Sequence, residues 1–212
     1  MLIHLLEKLA NPKAPGPAPS FSVIHVIKVL ELVAEKTIGR KELSRRLLLG
    51  EGVTRTLIER LRSFGLISVR KGGCVLSEKG RKIWSRIHND LPQKTVIEKT
   101  GLALATYNVA LIVRRRGRRV GSGIEQRDAA MLAGAKGATT LKYENGEVTM
   151  PPDYRKVQED FPEIYEKLMD SLSLEEGDAI VIGSADTPES AEYGALAAAW
   201  SLLKCAHAQP TT

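Results

Sequence analysis

The chain has 212 residues, of which 43% are hydrophobic and 26% are charged, an ordinary composition for a globular protein of one large or two small domains. No apolar run approaches the roughly 20 residues that span a bilayer, and the opening MLIHLLEKLA is too short and too charged for a secretory signal. Cys74 and Cys205 form no CxxC pair and no Cys/His cluster, so free thiols in the cytoplasm are expected rather than a disulfide or a zinc site.

The net charge of +6 hides an asymmetry along the chain. Residues 1–100 carry 19 Lys and Arg against 9 Asp and Glu, residues 101–119 carry five Arg and no acid, and residues 120–212 carry 7 against 16. A surface that binds phosphate must be locally positive. The split therefore favours a basic, nucleic-acid-binding module joined to an acidic one.

Residues 1–20 predict an arm and a connector that precede the first domain. Met1–Ala10 has leucines spaced for a short helix. Asn11–Ser20 contains four prolines and must be extended, because proline blocks helix continuation and restricts the residue before it. The arm is interpreted either as a flexible leader or as a segment that docks on a partner subunit.

Residues 21–92 predict a domain of four helices and a basic hairpin. In the first helix, Phe21–Lys36, Ser20 or Ser22 is a suitable N-cap and His25 is expected to be packed and hydrogen-bonded. Glycine permits the positive φ of a turn, so the turn between the second and third helices is placed at Gly50–Gly52. The remaining elements are predicted at Arg40–Leu49 (helix), Val53–Phe64 (helix, capped by Gly65), Leu66–Arg70 and Cys74–Leu76 (hairpin), and Glu78–Asn89 (helix).

This order of elements is typical of a winged helix-turn-helix, whose third helix enters the major groove of DNA. On that helix Thr54, Arg55, Glu59 and Arg62 are expected to lie on the exposed side. Arginine can bond guanine bidentately, and threonine can contact a phosphate or a thymine methyl group. The predicted DNA-binding residues are Arg40, Lys41, Arg45, Arg46, Glu51, Thr54, Arg55, Arg62, Arg70 and Lys71.

Two other uses of such a module stay open. It could dock a protein, although 14 Lys and Arg against 4 Asp and Glu between residues 36 and 86 argue against that use. It could bind RNA, although few aromatic side chains are available to stack on unpaired bases. Double-stranded DNA is the predicted partner.

Residues 95–207 predict an α/β domain with a mixed sheet, so the whole chain is assigned to the α+β class. The hairpin signal Asn145-Gly146 is the clearest local feature of this part. The other predicted elements are a long buried strand within Thr95–Arg116, a helix at Gln126–Ala133, a helix from Asp153 to about Leu172, a buried strand at Asp178–Ser184 and a helix at Glu189–Cys205.

The candidate ligand-binding residues are Ser184, Asp186 and Thr187, which follow the buried strand and lead into the last helix. Ligands bind at such strand ends in α/β sheets, and helix amides hold anions. The alternative is plain turn and capping chemistry. The basic run Arg114–Arg119 has three interpretations: a wider DNA footprint, pairing with acidic residues within or between subunits, or a solvated surface.

Enzyme signatures are absent from the sequence. The P-loop, the dinucleotide-binding glycine motif, HExxH and GxSxG do not occur, and the four histidines do not cluster. No catalytic residue, metal ligand or cofactor is therefore assigned.

Several segments resemble a family of archaeal winged-helix proteins. They are APGPAPSFSVIHVIKVLELV, GEGVTRTLIERLRSFGLI, RDAAMLAGAKGATTL and VIGSADTPESAEYGALAAA. The resemblance covers about Pro15 to Leu203 and implies an N-terminal winged helix, a C-terminal domain of unknown function and an archaeal, cytoplasmic source. Members are described as transcriptional regulators on the strength of their fold, and the resemblance supplies no catalytic residues.

The sequence thus predicts a homodimeric, DNA-binding transcriptional regulator whose C-terminal domain senses a small-molecule effector, dimerises, or does both. The alternatives are a metabolite-processing enzyme with an autoregulatory winged helix and a protein-docking adaptor.

Overall fold

The N-terminal unit, Met1–Ile87, has its helices and hairpin in the predicted order. The computed structural model describes residues 2–11, 20–103 and 105–204. The predicted proline connector falls on residues 12–19, outside the described residues. The elements of this unit are α1 (Leu2–Ala10), α2 (Val23–Glu35), α3 (Arg40–Leu47), α4 (Glu51–Ser63), β1 (Ile67–Arg70), β2 (Gly73–Leu76) and α5 (Glu78–Asp90), the last of which continues to the start of the second unit.

Helix α1 packs against α2 of its own unit. Leu6 and Leu9 are buried on the side that the leucine spacing predicted. Arg60 of α4 donates to the carbonyl of Leu9 at 3.1 Å and lies 5.1 Å from the centre of the Phe21 ring. The guanidinium of α4 therefore contacts both the end of α1 and the residue Phe21 that precedes α2.

A His25 side chain caps the start of α2. The backbone N–H of Ser22 donates to Nδ1 of His25 at 3.0 Å, which confirms the expected hydrogen-bonded histidine. Burial lowers the pKa of His25 from its usual value of 6.5, because the imidazolium loses hydration there. Protonation would also remove the acceptor that the Ser22 N–H uses.

The turn between α3 and α4 is not where the glycines predicted it. Leu48 takes the left-handed conformation (φ 55°), while Glu51 and Gly52 already belong to α4. The Ser44 hydroxyl donates to the Leu49 carbonyl and the Leu49 N–H donates to the Ser44 carbonyl, which holds the chain in this turn. The predicted turn at Gly50–Gly52 is therefore wrong, and α4 begins two residues earlier than expected.

Gly65 ends α4 as predicted. Its φ is 71°, and its N–H donates to the Arg62 carbonyl while the Leu66 N–H donates to the Leu61 carbonyl, both at 2.9 Å. This pair of bonds is the Schellman motif, in which the buried Leu61 and Leu66 side chains supply the accompanying apolar contact.

The second unit, His88–Thr212, contains a six-stranded sheet in the order β3-β4-β8-β5-β6-β7. Together with the helical first unit it makes the chain an α+β protein. Its elements are β3 (Lys94–Ile97), β4 (Tyr107–Val113), a 3-10 turn (Gly117–Arg119), α6 (Ile124–Leu132), β5 (Gly137–Glu144), β6 (Glu147–Met150), β7 (Arg155–Lys156), α7 (Val157–Asp160), α8 (Pro162–Ser171), β8 (Ala179–Ala185) and α9 (Pro188–Lys204).

The prediction of a mixed sheet is wrong, because every pairing between neighbouring strands in the described part of this unit is antiparallel. Strands β4 and β5 are joined through α6 and run in the same direction, but β8 lies between them and pairs with both. Strand β8, which follows both of them in the chain, thus separates two strands that would otherwise form a parallel pair.

Two predicted elements of this unit are shorter than expected. The long strand predicted within 95–116 is two strands, because the chain reverses between Ile97 and Tyr107 to form the antiparallel pair β3–β4. The long helix predicted from Asp153 is β7, α7 and α8, because Phe161 leaves helical geometry (φ −143°, ψ 60°) before Pro162 starts α8. The hairpin at Asn145-Gly146 is confirmed, with φ of 54° and 77°.

Both faces of the sheet are covered by helices. Ile180 and Ile182 of β8 belong to the core beneath α7 and α8, whereas Gly183 faces α9, where an added Cβ would lie 2.4 Å from the Ala195 nitrogen. The small residues of α9 thus serve close packing inside the unit. No helix among the described residues is long and apolar enough to cross a membrane.

The Asp178 carboxylate holds one end of this sheet and is fully buried (0% exposed). It accepts hydrogen bonds from the Arg114 guanidinium at 2.5 Å, the Arg115 N–H at 3.0 Å and the Glu175 N–H at 2.9 Å. Arg116 lies 3.6 Å from Asp90, and Arg119 donates to carbonyls at the end of α9. Pairing within the unit therefore accounts for three arginines of the basic run Arg114–Arg119.

Removing the Asp178 carboxylate should unfold the second unit more readily. Asp178→Ala leaves the buried side of Arg114 and two backbone donors unpaired, so the free energy of unfolding should fall by roughly 3–5 kcal/mol. Glu175→Ala, which removes the exposed second partner of Arg114, should cost less than about 1 kcal/mol. Urea denaturation measures both, and equal effects would contradict the central role of Asp178.

The His25 cap makes stability depend on pH. Because the folded pKa lies below 6.5, the unfolded state binds more protons as the pH falls through 6.5, and the protein loses stability toward acid. His25→Gln keeps an acceptor at the third helical position but does not titrate. Between pH 7.5 and pH 5.5, the melting temperature of the variant should therefore fall less than that of the wild type. An equal fall in melting temperature for both proteins would contradict this role of His25.

Candidate nucleic-acid interface

The hairpin is joined to the chain that leads into α3. The Ile38 N–H donates to the Cys74 carbonyl at 3.3 Å, and the Cys74 N–H donates back at 2.8 Å. A Cβ on Gly73 would lie 2.4 Å from the Ile38 carbonyl oxygen, so this approach requires glycine. The bridge places the hairpin tip, Lys71-Gly72, in a fixed relation to the start of α3.

The starts of α3 and α4 also meet. Nη2 of Arg40 lies 3.7 Å from Oε2 of Glu51, and both side chains are more than half exposed. Gly50 and Gly52, on either side of Glu51, have no atom within 4 Å of an added Cβ. The first turn of α4 is therefore open to a partner.

A stripe on α4 faces solvent and is here called the α4 stripe: Gly52, Arg55, Thr56 and Glu59. These positions recur every three or four residues and so lie on one side of the helix. Arg55 and Glu59 form an ion pair across one turn, with Nε 2.8 Å from Oε1.

Thr54 was predicted to face DNA, and that prediction is wrong. Its side chain is 0% exposed, and its hydroxyl donates to the Gly50 carbonyl at 3.1 Å. Thr54 lies three, four and seven residues before Leu57, Ile58 and Leu61, so it falls on the same, buried side of α4. Thr56, which was not among the predicted residues, takes the exposed place beside Arg55.

The other predicted residues are exposed and fall into two groups. Arg40, Arg45 and Arg55 each have a carboxylate partner, namely Glu51, Glu42 and Glu59. The second group shows no ion pair within the described part of the chain, and it comprises Lys41, Arg46, Arg62, Arg70 and Lys71. Arg70 and Lys71 lie at the hairpin tip, and Lys41 and Arg46 lie on α3.

The N-terminal unit carries the excess of basic residues. Residues 1–87 carry 17 Lys and Arg against 7 Asp and Glu, whereas residues 88–212 carry 14 against 18. The first unit is thus strongly basic and the second is acidic.

The predicted ligand residues of the second unit have structural partners. Ser184 is buried in β8, Asp186 pairs with Lys136 at 2.6 Å, and the Thr187 hydroxyl accepts from the Ser190 N–H at 3.2 Å as the cap of α9. These contacts are the ones expected from the alternative interpretation, in which the three residues form a turn and a helix cap. Arg115 and Arg118 of the basic run are exposed.

The described residues contain no group of three or more His, Cys, Asp or Glu that could hold a metal ion. Cys74 is a free, buried thiol whose pKa is raised by burial, as expected for a packed cysteine. Cys205 lies outside the described residues.

Each of the two units is similar to a known domain family. Residues 23–82 match a family model described as "PH0730-like, N-terminal domain", and residues 104–202 match a domain of unknown function, DUF4443. The structure is similar to that of the hypothetical protein PH0730 from Pyrococcus horikoshii OT3, which is 32% identical, with a TM-score of 0.71. The match covers 87% of this chain and 94% of that protein. No curated protein matches the sequence at a significant level.

Proposed function

The chain belongs to the PH0730-like family, and we propose that its N-terminal unit is a winged helix-turn-helix that binds double-stranded DNA. In this proposal α4 is the recognition helix and β1–β2 is the wing. The observation that carries it is the set of eight exposed cations that α3, α4 and the hairpin tip present in one basic unit.

The α4 stripe suits this use because it starts at the first turn of a single helix. The major groove of B-DNA is about 12 Å wide and admits one α-helix, whose N-terminal turns reach the base edges. Gly52 leaves the first turn of α4 uncovered, and Arg55 and Thr56 follow on the same side. Arg55 is the residue that we assign to base contact, because an arginine fork fits the O6 and N7 acceptors of guanine.

The unpaired cations suit phosphate contacts. Lys41 and Arg46 flank α4 from α3, Arg62 lies near the end of α4, and Arg70 and Lys71 extend from the hairpin tip. None of them would have to give up a carboxylate partner among the described residues before binding a phosphate. They would supply affinity without sequence preference.

We propose that the chain is a transcriptional regulator and not an enzyme. In this proposal the second unit is the dimerisation domain, the effector-sensing domain, or both. An effector would act only through different affinities for the DNA-competent and DNA-incompetent states. A homodimer would present two α4 stripes to two half-sites, which dimeric helix-turn-helix proteins read about one helical turn apart.

Salt dependence tests DNA binding directly. If the five unpaired cations contact phosphates, the logarithm of the binding constant should fall by about 4 to 5 per tenfold rise in salt, at about 0.9 per phosphate. Lys71→Ala should lower that slope by about 0.9, whereas Lys167→Ala, which removes an exposed cation of α8, should leave it unchanged. The measurement is a fluorescence-anisotropy titration of a labelled duplex from 50 to 300 mM salt.

Absence of salt-dependent binding to any duplex would refute the proposal. Preferential binding of single-stranded RNA at the same cations would indicate an RNA-binding module, and binding of neither would favour a protein-docking role.

Gly52→Ala separates a structural from a DNA-binding role of the open first turn. Because the new Cβ has free space and alanine favours helix, stability should rise by up to about 1 kcal/mol. Affinity for duplex DNA should nevertheless fall by about fivefold or more, equivalent to ~1 kcal/mol, because the methyl group separates the helix from the DNA.

Gly121→Ala places a methyl group at an equally open glycine of the second unit and should leave DNA affinity unchanged. Unchanged affinity in Gly52→Ala would exclude close approach of DNA to this turn. Thermal unfolding and anisotropy measure the two quantities.

A further inference from the structure

The α4 stripe carries a carboxylate where a surface built only for phosphate would carry none. Glu59 lies on the same side of α4 as Arg55, and the two side chains are 58% and 67% exposed. Their hydrogen bond raises the pKa of Arg55, so the guanidinium stays charged with a carboxylate beside it. Any partner that approaches Arg55 therefore also meets the charge of Glu59.

This arrangement disfavours contact of Arg55 with a DNA phosphate and favours its contact with a base edge. A phosphate that takes over Arg55 would leave Glu59 beside a second negative charge, and like charges at short range are unfavourable. In the major groove the N4 amino group of cytosine and the N6 amino group of adenine can donate to a carboxylate. Cytosine is the better partner, because the N7 lone pair of adenine lies beside its amino group and repels the carboxylate, while arginine prefers guanine. Arg55 and Glu59 together thus match G·C base pairs.

We propose that the Arg55–Glu59 pair selects G·C base pairs, with Arg55 bonding O6 and N7 of guanine and Glu59 accepting from N4 of a cytosine. This inference rests on the proposed DNA-binding function. The two residues are about one helical turn apart, about 6 Å along the axis, which is close to two base-pair steps of about 3.4 Å each. On binding, the intrahelical ion pair is exchanged for two base contacts.

The test is selection of binding sites from a pool of duplexes with a randomised segment, using the full chain and three variants. The wild type should enrich sites in which guanine and cytosine occupy two fixed positions. Glu59→Gln should lose the cytosine preference and bind random duplex several-fold more tightly. Arg55→Ala should lose the guanine preference, with affinity for the selected site reduced roughly 5- to 150-fold, the range for one lost base contact.

Glu78→Gln is the matched control. Glu78 and Lys82 form an exposed i,i+4 ion pair of the same length, 2.8 Å, on α5, outside the α4 stripe. This variant should select the same sites as the wild type, with the same affinity for random duplex.

Two results overturn the inference in distinguishable ways. If all proteins bind duplex DNA with salt dependence but Glu59→Gln keeps the base preference of the wild type, the Arg55–Glu59 pair is only an intrahelical contact and the proposed function survives. If no protein binds any duplex, both the inference and the proposed function fail.

Discussion

The rotation of α4 about its own axis is the constraint on which the surface of the N-terminal unit depends. At its start, the helix is fixed by the buried Thr54, whose hydroxyl bonds the Gly50 carbonyl. At its end, it is fixed by the Schellman bonds around Gly65 and the buried Leu66. With both ends held, Leu57 and Leu61 face the core, and the α4 stripe must face outward. A shift of one residue would bury Arg55 and expose Thr54.

The hairpin and α3 are held in register with that helix by backbone contacts. The Ile38–Cys74 bridge joins the chain before α3 to β2, and only glycine fits at position 73. The exposed cations of α3 and of the hairpin tip are thus attached to a framework of buried residues. Packing of the buried residues fixes the positions of these cations. The cations repel one another, so their own interactions do not bring them together. Binding to a polyanion would relieve that repulsion.

Much of this unit can be read from the sequence because its signals are local. The leucine spacing of α1, the histidine cap of α2 and the glycine that ends α4 each depend on residues within one or two turns. The turn before α4 was misplaced because Gly50 and Gly52 resemble a turn, whereas the actual turn depends on the Ser44 hydroxyl and a leucine in the left-handed region. The burial of Thr54 could have been read from its helical spacing to Leu57 and Leu61.

The second unit was harder to predict because its sheet depends on distant residues. No local sequence pattern predicts that β8 lies between β4 and β5. Nor does one predict that Asp178 accepts a hydrogen bond from Arg114, 64 residues away. The arginine run therefore looked like a candidate for DNA contact, although three of its members have partners within the unit. Ser184, Asp186 and Thr187 likewise take part in the core, an ion pair and a helix cap.

The most direct test of DNA recognition by α4 and the hairpin tip is to map amide chemical shifts of ¹⁵N-labelled protein during titration with duplex DNA. The largest chemical-shift changes are expected at the α4 stripe and at Arg70–Gly72, and only small changes are expected at Thr54 and its buried neighbours. Chemical-shift changes confined to the second unit, or no changes at a DNA excess, would contradict DNA recognition by α4 and the hairpin tip.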